Sequence, residues 1–100
     1  MPIICRVGDT LTTGHLCDGI TTIAAPNTDG TVHANGIDII VVGAPTVSHL
    51  IPDGICVPHV AFLNAGSSSV FINGISVGRI GDSADAGAMI SGSPNVFAGG

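Results

Sequence analysis

Five side chains suited to chemistry fall in two stretches of the chain. His15 and Cys17 lie in Gly14-His15-Leu16-Cys17-Asp18, and His49, Cys56 and His59 lie in the run from Ser48 to His59. Imidazole nitrogen and thiolate sulfur are the usual ligands of zinc, which takes about four of them in a tetrahedron at roughly 2.0 to 2.3 Å. The spacing Cys56-x-x-His59 lets one turn deliver two ligands, with Pro58 stiffening the approach; His49 shares that stretch, and His15 arrives from the other. The expected site is one structural zinc held by His15, His49, Cys56 and His59, with Cys17 as the rival thiolate. Isolated pairs of this kind recur by chance, so the weight lies in the clustering.

The other candidates read differently. His33 aligns with Phe71 and Phe97 in a repeated phrase described below, and is expected to fill a packing position. Cys5 lies in an apolar run and is expected to behave as a small buried hydrophobe. A catalytic zinc would need an open position and a nearby general base. Asp18 and Asp53 could supply that base, which makes a small zinc-dependent hydrolase the alternative reading. Gly19 and Gly54 follow these carboxylates and mark them as turn residues. No nucleophile stands with a base, so neither catalytic residues nor a small-molecule substrate is expected.

These side chains are carried on a phrase that occurs three times: an apolar run ending in Gly, an excursion, then a Val-x-x-Asn-Gly-like closing. Aligned on Gly8, Gly43 and Gly81, the opening runs are Ile3 to Val7, Ile37 to Val42 and Ile75 to Ile80. The closing runs are Val32 to Ala34, Val70 to Ile72 and Val96 to Ala98. Asn35-Gly36 and Asn73-Gly74 are strong hairpin signals that turn a closing run into the next opening one. Asp9 and Asp82 follow the repeat glycine and read as backbone-capping residues. The first two excursions are long and hold the His and Cys residues; the third, Asp82 to Gly87, is short and holds neither. Unequal spacing fits a closed three-part body with pseudo-threefold symmetry better than an open solenoid or a repetitive adhesin.

Composition narrows the class further. The residues 1–100 form one domain, with only two basic side chains, Arg6 and Arg79, and a net charge of −5. Phosphate binding needs clusters of Lys or Arg, so no nucleic-acid partner is expected. Abundant Gly, Val, Ile and Thr favour strands and turns, and the expected fold is all-β. Residues 54 to 78 carry no formal charge, yet Pro58, Asn64, Asn73 and three consecutive serines rule out a membrane-spanning helix. No signal peptide opens the sequence, so synthesis in the cytosol is expected, with the cysteines as thiols or metal ligands rather than a disulfide framework.

The Arg-Val-Gly-Asp and Arg-Ile-Gly-Asp openings, the Gly-Ser-Pro-Asn-Val-Phe and Ser-Ser-Ser-Val-Phe-Ile-Asn-Gly closings and the His-bearing loops resemble PAAR-repeat proteins over essentially the whole chain. The resemblance implies a sharp, zinc-pinned cone of three hairpin-like repeats. Such a cone caps the trimeric β-helical spike of a contractile injection machine, one tip per trimer, in a phage tail or a type VI secretion system. It implies a non-enzymatic role in piercing, with transient membrane contact, and metal ligation by His15, in its Thr-Gly-His loop, and by His49 and His59. The literal Pro-Ala-Ala-Arg word is absent, its places holding Ile3 to Arg6, Asp38 to Val41 and Ser76 to Arg79. The third loop also lacks the cysteine that better-known members carry. No appended effector domain is expected, which favours a phage tail while leaving a secretion system open.

Overall fold

Short runs of Val, Ile, Thr and Phe interrupted by Gly and Asn pair locally but cannot extend into long ladders. The computed structural model describes residues 2–99, with no helix among them. Five antiparallel hairpins form: β1 (Thr10–Thr12) with β2 (Ile20–Thr22), β3 (His33–Ala34) with β4 (Ile37–Asp38), β5 (His49–Asp53) with β6 (Ile55–His59), β7 (Phe71–Ile72) with β8 (Ile75–Ser76), and β9 (Ser83–Ala84) with β10 (Gly87–Ala88). The two Asn-Gly turns join β3 to β4 and β7 to β8. Both central residues of each have positive φ, +57° and +77° at Asn35-Gly36 and +52° and +80° at Asn73-Gly74. That is the geometry whose twist matches paired strands.

The opening runs do not form the continuous strands that their sequence suggests. They meet one another through single bridges, Ile4 with Arg79, Arg6 with Ile39 and Val41 with Val77. The reason is that each run turns successive backbone groups to different neighbours. Ile4 N–H donates to Val96, whereas Cys5 N–H donates to Gly78, 2.8 Å away in each case. A closed ring results: Cys5 N–H donates to the Gly78 carbonyl (2.8 Å), Gly78 N–H to the Ile40 carbonyl (2.9 Å) and Ile40 N–H to the Cys5 carbonyl (3.2 Å). Other bonds recur once per opening run. Gly8 N–H donates to Ile23, Gly43 to Leu63 and Gly81 to Met89, each at 2.9 Å. The three donors have φ of +88°, +92° and +88°, a left-handed conformation that glycine adopts without strain.

Two apolar clusters flank this ring. One joins Ile4, Ala34, Ile39, Val41, Ile72, Val77 and Ala98; the other joins Cys5, Leu11, Ile23, Ile40, Ala44, Leu63, Ala84 and Met89. Gly78 takes a ring position without a side chain because a Cβ there would stand 2.6 Å from Leu63 and 3.0 Å from Ile40. Cys5 is buried in the second cluster, where burial pushes its thiol up to about 12, with the charges of Asp9 and Asp82 adding to the effect. Asp9 and Asp82 cap the backbone and hold the two arginines. Asp9 accepts from Arg6 N–H (2.7 Å) and Asp82 from Arg79 N–H (2.8 Å). Their guanidinium partners lie at 3.2 and 3.0 Å. The body measures 40 × 24 × 22 Å, and no helix among the described residues is long and apolar enough to cross a membrane.

Candidate metal centre

The long β5–β6 hairpin delivers two of the three site histidines. Its register pairs His49 directly with His59, so both imidazoles leave the same face of the ribbon. His15 comes from the first excursion. There the backbone passes so close to the third excursion that a Cβ at Gly14 would collide with the Ala86 carbonyl, and one at Gly87 with the Thr12 carbonyl. This close approach, fixed by Ala86 N–H donating to Thr13 (2.9 Å), carries the β9–β10 turn to the histidines. At that turn Asp85 adopts φ +54°, a left-handed conformation that Asp tolerates better than most residues. Asn64 secures the turn by donating to the Asp85 carbonyl (2.9 Å).

The Asp85 carboxylate stands among the three rings. Its Oδ2 lies 2.9 Å from His15 Nε2, 2.8 Å from His49 Nε2 and 3.5 Å from His59 Nε2. The His15 and His49 rings are parallel with centroids 5.3 Å apart, and His59 meets both edge-on. All four donor atoms fall within 4.8 Å of one another. A tetrahedral ion with bonds of about 2.1 Å sets its ligands about 3.4 Å apart, so the four groups need shift only slightly to share one.

The protons make the same case. His15 Nδ1 lies 3.0 Å from the Leu16 carbonyl and His49 Nδ1 2.9 Å from the Val47 carbonyl. A carbonyl only accepts, so both Nδ1 atoms carry hydrogen, and each Nε2, which donates to Asp85 while protonated, would present a lone pair to an ion on losing that proton. Metal-binding histidines are oriented in this way, the far nitrogen donating to backbone. His59 Nε2 is buried with no hydrogen-bond partner, an orphaned donor atom aimed at the same point. Burial acts to raise the Asp85 carboxyl, but hydrogen bonds from His49 and His15, the charge of His15 and the nearby His59 outweigh it and hold the group below the usual carboxylate range. The bond to Leu16 raises the His15 imidazole; burial opposes this, and Asp85 and Asp18 add to the rise. The cluster can therefore hold a metal ion through three imidazoles and one carboxylate.

Three expectations need correction. Cys17 and Cys56 are bonded to each other in a disulfide, with Cα atoms 5.9 Å apart, so neither Cys56 nor its rival Cys17 is a thiolate ligand. The Cys56-x-x-His59 spacing was read as a turn, but it lies in strand β6, where side chains three apart leave opposite faces. His59 joins the histidines, and Cys56 faces Cys17. The third excursion is also not a bare wall, since its Asp85 supplies the fourth donor. An alignment of His and Cys alone passes over it, because an Asp between Ala84 and Ala86 reads as ordinary turn chemistry. His33 does not pack as Phe71 and Phe97 were aligned to suggest; it is half-exposed, with its Nε2 2.7 Å from Asp38 Oδ1. Asp18 accepts from Leu50 N–H (2.8 Å), and Asp53 ends β5 at the hairpin turn. No protein-family model and no curated protein matches the chain.

Proposed function

We propose that this chain is the metal-pinned tip of a contractile injection machine, a PAAR-like cone capping a trimeric β-helical spike. The observation that carries the reading is the closed ring of hydrogen bonds joining Cys5, Gly78 and Ile40, with the glycine bond that recurs at Gly8, Gly43 and Gly81. A bonding pattern repeated three times about one ring supports a pseudo-threefold reading, which would suit a partner built from three identical chains. One chain per spike trimer is the matching stoichiometry.

Apolar side chains left exposed in and beside the closings support the same assignment. Phe71 and Phe97, at matching places in the second and third closings, are 52% and 51% exposed, and Ile37, Val70 and Ile75, close in sequence to the Asn-Gly turns, are exposed as well. Surface of this kind marks an interface, and a spike's threefold end would cover it. The excursions form the apex in this reading, where too few residues remain to build a core and an ion takes its place. Imidazole and carboxylate suit zinc, with iron(II) as the competitor. The role is structural: sheath contraction supplies the energy, and the tip must stay folded while it contacts the target membrane. No turnover is expected, which separates this reading from a zinc hydrolase.

The test is to mix the chain with the trimeric β-helical spike protein of its own source and measure the mass of the product. A complex of one chain with three spike subunits is expected, lost in Phe71→Asp and Phe97→Asp variants that keep their metal. Absence of any complex, or a complex unaffected by both substitutions, would sink the proposal.

A further inference from the structure

We propose that the Cys17–Cys56 disulfide and the metal are reciprocally coupled clamps, so that the redox state of this one pair sets how tightly the ion is held. The inference rests on the metal-site reading above. Both clamps join the same two segments. Cys17 is two residues beyond His15, and Cys56 is three before His59 and paired with Pro52 on the hairpin that carries His49. Among the described residues these segments also meet through the His15 ring, which lies against His49 and His59, and through two hydrogen bonds. Asp18 N–H donates to the Leu50 carbonyl (3.1 Å), and Leu50 N–H donates to the Asp18 carboxylate (2.8 Å).

No apolar core backs these ties. Leu16 and Ile55 are 79% and 75% exposed, and Cys17, Leu50, Pro52, Asp53, Gly54 and Cys56 are exposed as well. Segments without buried contacts open at low cost, and whatever orders them first loses their conformational entropy. A second clamp then closes on segments already in place and loses less, which is positive coupling without any new contact. The metal side gains because His15 is held beside the β5–β6 ribbon. The disulfide side gains because two thiols 39 positions apart in sequence no longer need to find each other through a free loop. Coupling free energies are mutual, so the factor by which the disulfide tightens the metal equals the factor by which the metal favours the disulfide.

The exposure of both cysteines leaves the pair open to exchange with a small-molecule disulfide of the glutathione class. One cysteine sulfur attacks a sulfur of the small disulfide and releases one small thiol. The second cysteine sulfur attacks the resulting mixed disulfide and releases the other. The two protein sulfurs are oxidised, the small disulfide is reduced, and the two cysteine protons leave on the two small thiols. Cys5, fully buried, takes no part.

The test measures zinc affinity of the full chain by competition with a colorimetric chelator in three forms: disulfide closed, disulfide reduced, and the Cys17→Ser, Cys56→Ser double variant. The closed chain should bind zinc at least about tenfold more tightly than either open form. Saturating zinc should shift the chain's equilibrium with oxidised and reduced glutathione towards closure by the same factor. If the serine variant fails to fold, the reduced chain alone provides the comparison. Equal affinity in closed and open forms overturns the coupling while leaving the metal site standing. Tighter binding by the reduced chain overturns it too, because free thiols would then be ligands. No zinc binding by any form overturns both this proposal and the metal reading beneath it.

Discussion

The region around the Cys5–Ile40–Gly78 ring and the region that carries the histidines are held together by different physics. The first has two apolar clusters, and Ile40, Val41, Leu63, Val77 and Met89 within them are almost wholly buried. The second has exposed apolar side chains, a pair of backbone ties, a disulfide and a four-donor cluster. Burial is cooperative and does not depend on metal or oxidant, whereas the histidine region answers to both. One small chain thus joins a body whose stability is hydrophobic to loops whose order is chemical.

The sharpest way to break this contrast is to damage the body. Ile40→Ala should cost about 2 to 5 kcal/mol, a large share of a small domain's stability, and lower both regions together in a denaturant titration. If only the histidine region opened, the ring would not be the fold's centre. Next in size is Asp85→Ala, which removes the one carboxylate among the donors. Metal content should fall, and hydrogen exchange should quicken over residues 14–19 and 49–59 while the opening runs keep their protection. Uniform quickening would erase the distinction between the regions.

A smaller, pH-driven effect should come from the body. The Cys5 thiol is pushed up to about 12 from an ordinary 9.0, so the unfolded chain gives up this proton first. Stability is then unaffected below about pH 9 and falls between pH 9 and 12, by at most about 1.4 kcal/mol per unit from this group. Cys5→Ala, measured over the same range, should flatten that part of the curve. The least effect belongs to His33→Phe, which trades a half-exposed polar contact for the residue found in the other two closings. It should change stability by no more than about 1 kcal/mol, and a larger loss would give the His33–Asp38 pair a role that its exposure argues against.

Turn chemistry was the most legible part of the sequence. The Asn-Gly pairs and the repeat glycines demand left-handed backbone wherever they occur, and the hairpins and recurring glycine bonds sit at those residues. The meeting of His15, His49 and His59 was legible from clustering. The fourth donor was not, for two reasons. Assigning Cys56 and His59 to one face needs a turn, and the hairpin register makes that segment a strand with period two. Asp85 reaches the site only through the close passage of Gly14 against Ala86 and Gly87 against Thr12, a long-range contact that no local spacing encodes.

The most direct measurement is X-ray absorption at the metal edge of the purified chain, with its metal content determined in parallel. The expected result is one metal per chain in a shell of nitrogen and oxygen at about 2.0 to 2.2 Å, with no sulfur. A sulfur ligand at about 2.3 Å, or no stoichiometric metal, would contradict the site of three histidines and Asp85.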